Sequence, residues 1–138
     1  MGMETEFSRN SLGPMKERQQ LLFKDVALHM IRQGERSSNT EGECKYRYGD
    51  LKCAVGCLIK DEHYSSAFED LTVNSAEVSG AVEKSIGRKL QDEDIEMLDL
   101  LQNIHDYDNT EEWKLHLKGV GLRYFNKDLH QLKVLRGF

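Results

Sequence analysis

The run Cys53-Ala-Val-Gly-Cys57-Leu-Ile59 constrains the fold more than any other stretch, because it carries no polar side chain in a chain that is 31% charged. A water-facing protein tolerates such a run only where other parts of the chain cover it on every side. It is far shorter than the roughly 20 apolar residues needed to span a bilayer, and no other segment approaches that length, so a core and not a membrane has to receive it. Upstream, Cys44, Tyr46 and Tyr48 alternate with Lys45 and Arg47, the two-residue period of a strand with one covered face. Gly49-Asp50 suits a two-residue turn with glycine first, so a hairpin is expected near 44–53. Period alone does not separate helix from strand in the apolar run. Ala54, Leu58 and Gly56, which permits close backbone approach, favour a buried helix.

At 138 residues the chain is expected to form one domain. A chain of this size buries about two thirds of its unfolded surface and needs no staple. Three cysteines with no secretory signal before them are read as reduced thiols in a cytoplasm. Glu6 occupies the position where a myristoylation signal requires serine or threonine.

The helices follow from apolar spacing. Residues 1–14 lack a period and end in Gly-Pro, which reads as a flexible arm. From Met15, Leu22, Val26 and Met30, with Phe23, Ala27 and Ile31, mark a helix that Gly34 ends. His29 is expected at the core edge with a satisfied hydrogen bond. After a polar loop over 35–43, the apolar run and a partial turn at DEHY, Asn74 and Glu77 form a capping box. It precedes a short helix with Val78, Val82 and Ile86 inward and Gly87 at its end. Asp92, Glu93 and Asp94 open the next helix, whose stripe is read as Ile95, Leu98 and Leu101 with Met97 and Ile104. His105 is placed in its last turn, where an imidazolium would suit the dipole. Asn109 and Glu112 repeat the capping box ahead of a helix with Trp113, Leu117, Val120 and Tyr124 inward. Gly119 and Gly121 predict a close helix contact or an early end. Leu129, Leu132 and Leu135 allow a short docked helix in a basic tail. The expected fold is mainly α, residues 15–138 forming a bundle of four to five helices with one small β-hairpin.

Charge is the most informative global feature. Residues 61–112 hold 15 acidic and 3 basic side chains, whereas 113–138 hold 6 basic and 1 acidic. An acidic middle argues against duplex nucleic acid as a general ligand, because phosphate contacts need clustered Lys and Arg; the tail alone keeps that capacity.

CAVGCLI, the acidic DEHY that follows, the later LLQNIHD and a tryptophan in the next helix together resemble a family of small uncharacterised bacterial and bacteriophage proteins, over about Met15 to Phe125. The resemblance implies a prokaryotic or phage setting and brings with it no activity, cofactor or site residue.

The polar residues suggest three chemistries. Cys44, Cys53, Cys57 and His63 are zinc-ligand types, but their spacing is not that of a Cys-x-x-Cys knuckle. Cys57 with His63 as base would be a thiol enzyme, against which apolar burial of the thiol counts. His29, His63, His105-Asp106 and Asp128 follow the His, His-Asp, Asp order of helical metal-dependent phosphohydrolases, without their spacing. The expectation is therefore a non-enzymatic protein with neither metal nor cofactor, binding a protein partner. A phage-encoded acidic inhibitor of a host nucleic-acid-binding protein or defence system would fit. Its partner-binding residues would be Asp61, Glu62 and His63 at the exit of the apolar run, and Asp94, Glu96 and Asp99 on the outer side of the 92–107 helix. The alternative is a metal- or thiol-dependent enzyme using the Cys44–His63 region.

Overall fold

The computed structural model describes the backbone of residues 13–125 and the side chains of residues 17–125. Among them run α1 (Gly13–Gln33), the hairpin strands β1 (Arg47–Tyr48) and β2 (Leu51–Lys52), α2 (Ala76–Ile86), α3 (Asp92–Tyr107) and α4 (Trp113–Phe125). This is the mainly helical bundle with one small hairpin that the periodicities predict. Residues 1–12 of the expected arm and the tail 126–138 lie outside the described residues. Gly13 and Pro14 belong to α1.

Helix α1 is the spine. Its stripe of Leu22, Phe23, Val26, Ala27 and Met30 is buried, and it packs against α3, α4 and the apolar run. Phe23 meets Phe125 of α4 with ring centroids 5.7 Å apart. Gly34 ends α1 at φ +71°, with its N–H on the Met30 carbonyl. The molecule is therefore organised around α1, and the apolar run is one of the surfaces that it buries.

The run itself is not a helix. Cys53, Ala54 and Val55 are buried, Gly56–Leu58 makes a single 3-10 turn, and Ile59 returns to extended backbone. The reason lies in where its peptide groups find partners. The Lys52 N–H donates to Gln33 Oε1 at 3.0 Å, and the Lys52 carbonyl accepts from Gln33 Nε2 at 2.9 Å and His29 Nε2 at 2.7 Å. The Val55 N–H donates to Gln102 Oε1 at 2.9 Å, and the Lys60 N–H to Ser85 Oγ at 2.8 Å. Side chains of α1, α3 and α2 thus hold the start of the run and the residues flanking it, while inside it the Cys57, Leu58 and Ile59 N–H groups bond to the Cys53, Val55 and Gly56 carbonyls in a single tight turn. Gly56 does permit a close approach, but to a strand arm: a Cβ there would stand 2.3 Å from the Tyr46 carbonyl oxygen.

The hairpin turns at Gly49, φ +61°, with Arg47 opposite Lys52 and Tyr48 opposite Leu51. Its covered face is narrower than alternation implies. Tyr46 is buried, Cys44 half-buried and Tyr48, next to the turn, exposed.

Two helix starts differ from the expected caps. Ser75, not Asn74, caps α2, its Oγ accepting from the Val78 N–H at 3.3 Å. Asn109 leads into a 3-10 turn at Thr110–Glu112 without a side-chain cap bond, and α4 proper begins at Trp113. Among its glycines, Gly121 is buried as a close contact requires, whereas Gly119 is exposed and a Cβ there would meet nothing within 4 Å.

Candidate functional site

Helix α3 presents a stripe that includes two polar residues. Met97, Leu98, Leu101 and Ile104 are buried, and so are Asp94, four residues before Leu98, and His105, four after Leu101. Ile95 is only half-buried. Asp94 is therefore removed from the expected outer face: its carboxylate takes a two-pronged contact from Arg88 at 2.8 and 3.3 Å and accepts from the Gln91 N–H at 2.7 Å. It closes the first turn of α3 and is not available to a partner. Glu96 is exposed as expected, and Asp99 is half-buried in the wall of a cavity.

His105 sits in the last turn of α3 as expected, but as a buried ring and not as the cation that would suit the dipole. The Ser37 N–H donates to Nε2 at 3.0 Å, so that nitrogen carries a lone pair, and the proton sits on Nδ1, 2.8 Å from Asp106 Oδ1. The ring is fully buried and stacks on Trp113, centroids 5.4 Å apart. Arg36 performs the dipole role instead. Its Nε donates to the His105 carbonyl at 3.0 Å and its Nη2 to the Asp108 carbonyl, satisfying the last turn of α3. Loop 35–46 is thus clamped across the end of α3, with Asn39 holding it closed through the N–H groups of Glu41 and Glu43.

Between this loop and α3 lies a cavity of about 180 Å³. Asp99, Gln102 and Asp106 supply one wall, because spacings of three and four residues put them on one side of α3. Cys44, Tyr46 and Glu69 supply another. Glu69 is held by the Tyr46 N–H at 2.8 Å and the Tyr64 hydroxyl at 2.5 Å, and Asp106 accepts from Gln102 Nε2 at 2.8 Å as well as from His105. Asp99 takes no part in that scaffold. Burial pushes the Cys44 thiol up to about 11, with the Asp106 charge adding to the shift. The Tyr46 phenol is raised too, first by burial and then by Cys53, Glu69, Asp106 and Asp99. A cavity with this lining stabilises positive charge.

Cys44, Cys53, Cys57 and His63, the zinc-ligand types in the sequence, are not brought together as one set. Among the described residues the one grouping of three candidate ligands is Cys44, His105 and Asp106, with donor atoms within 4.8 Å of one another. Its imidazole cannot serve without rebuilding the loop: Nε2 is occupied by the Ser37 N–H, which in turn assigns the proton to Nδ1. The thiol-enzyme reading fares no better, since Cys57 is pushed up to about 12, chiefly by burial, and its Sγ donates to the Ala54 carbonyl at 3.1 Å. Cys53 is buried and its thiol is raised as well, again mainly by burial.

Of the other expected residues, Asp61 pairs with Arg47 at 2.5 Å, and Glu62 and His63 approach to 3.9 Å beside a groove of about 320 Å³ that Glu77 and Lys84 also line. His29 donates to the hairpin as a core-edge histidine, and Asp128 lies outside the described residues. His29 thus bonds the hairpin and His105 the Ser37 N–H and Asp106, while His63 lies half-exposed beside Glu62. Sequence reasoning missed Glu69, Gln102, Arg36 and Ser37, whose roles depend on partners 23 to 72 residues away. No family model, no curated protein and no solved structure matches the chain.

Proposed function

We propose that this is a non-enzymatic binding protein whose acidic middle segment docks on a basic protein surface. The setting that follows from the resemblance is the cytoplasm of a bacterium, with a phage-encoded inhibitor of a host nucleic-acid-binding protein or defence system as the concrete form. The observation that carries the reading is the outward placement of the segment's charge: Asp61, Glu62, Glu77, Asp92, Glu93 and Glu96 are all exposed. Of the three cations in the same segment, Arg88 is consumed by buried Asp94. No helix among the described residues is long and apolar enough to cross a membrane.

The test uses Glu62→Lys, Asp92→Lys and Glu96→Lys together, all at exposed positions away from the core. With the melting curve unchanged, capture of basic proteins from a bacterial lysate should fall, and wild-type capture should weaken steeply with salt, because exposed charges are screened beyond about 8 Å at physiological ionic strength. Capture that is indifferent both to salt and to the triple substitution removes the acidic surface from consideration.

A further inference from the structure

We infer that the cavity between loop 35–46 and α3 is a socket for one arginine side chain on the partner protein, an inference that rests on the binding function proposed above and names its anchor. Size is the first constraint. At about 180 Å³ the cavity is smaller than the roughly 300–1,000 Å³ of sites that bury a whole small molecule or cofactor, and it suits a single side chain.

The lining then selects the side chain. Leu71 and Val73 offer apolar wall to an aliphatic stem, while Asp99 and Asp106 offer carboxylate oxygens to a charged head. Asp106 is already committed to His105 and Gln102, which fixes it in place, and Asp99 is the acceptor outside that scaffold. Lys45, the cation among the lining residues, is engaged with Glu43 at 3.9 Å.

A further observation comes from the rim. Tyr107 also lines the cavity and is 79% exposed, the most exposed large apolar side chain among the described residues. No aromatic or cationic side chain of the described residues stacks on it. A planar guanidinium with its donors in the carboxylates and its face on the phenol ring satisfies both features, which an ammonium does less well.

The experiment uses the full chain and two lysine-glycine dodecapeptides that differ only at the centre, arginine in one and citrulline in the other, compared by calorimetry at low salt. The arginine peptide should bind at least tenfold more tightly. Asp99→Asn should abolish that preference, and Tyr107→Ser, which changes only an exposed ring, should reduce it severalfold. Glu17→Gln, on the far segment α1, should leave it intact. A third peptide with lysine at the centre should fall between the two.

Equal binding of the arginine and citrulline peptides, no binding of either, or a preference that survives both Asp99→Asn and Tyr107→Ser overturns the socket. If lysate capture in those cases still falls with salt and with the Glu62, Asp92 and Glu96 reversals, the acidic surface stands without the socket. If it does not, both are lost.

Discussion

Asp94 shows how one residue changes sides when its helix is packed. Counted from Leu98 and Leu101 at the helical period it falls on the buried stripe, and the fold accepts it there only because Arg88 and the Gln91 N–H meet its carboxylate. Removing the carboxylate leaves the half-buried Arg88 and the Gln91 N–H without their acceptor, so Asp94→Ala should cost about 1–3 kcal/mol in urea melts, whereas Glu96→Ala on the exposed side should stay within about 0.5 kcal/mol. Similar losses for both would mean that Asp94 is not the buried cap described. His105 carries the same lesson with a neutral ring: its two nitrogens are spoken for, one by a backbone N–H that cannot change its role. Both were legible in principle, since strict 3.6-residue spacing from Leu98 and Leu101 includes them. Reading the stripe from apolar residues alone put Ile95 inward in place of Asp94, and assigned His105 to the helix dipole in place of the core.

At the level of elements, the long helices were legible because each carries its own apolar period and stop, as with Leu22, Val26, Met30 and Gly34 in α1. The apolar run was not, because its start and its flanks are held by Gln102, Gln33 and Ser85, each on a different helix and each polar. Nothing in Cys53–Ile59 alone announces those partners. Gly56 gives the sharpest check. A methyl group at 2.3 Å from the Tyr46 carbonyl forces the turn away from the hairpin, and neither backbone can yield cheaply. Gly56→Ala should therefore lose about 1–3 kcal/mol by the usual cost of overpacking, while Gly119→Ala, with open space around it, should be neutral or gain up to about 1 kcal/mol from helix propensity. Thermal melts of the two variants, if indistinguishable, would contradict the close approach.

Across the whole molecule, the thiols link stability to pH. Cys44 is raised from 9.0 to about 11 and Cys57 from 9.0 to about 12, so the folded chain holds protons that the unfolded chain releases. Their contribution is complete below pH 9 and is lost as pH rises through the folded values. Melting temperature should decline between pH 9 and pH 11, and serine at both positions should flatten that decline. Thiol reagents at pH 8 should label the native protein slowly and the denatured protein at once. The clamp of loop 35–46 on α3 gives those thiols a history as well. Ser37 is joined to His105 across 68 residues, and Arg36 to Asp108 across 72. At a synthesis rate of roughly 5–20 residues per second, the first half of the clamp waits roughly 3–14 seconds for the second to emerge from the ribosome. Through that interval Cys44 and Cys53, which line the cavity opposite Asp99, Gln102 and Asp106, have none of the cover that α3 later supplies. The nascent chain is thus the form in which these two cysteines are most open to oxidants, and completion of α3 leaves Cys53 buried and Cys44 half-buried.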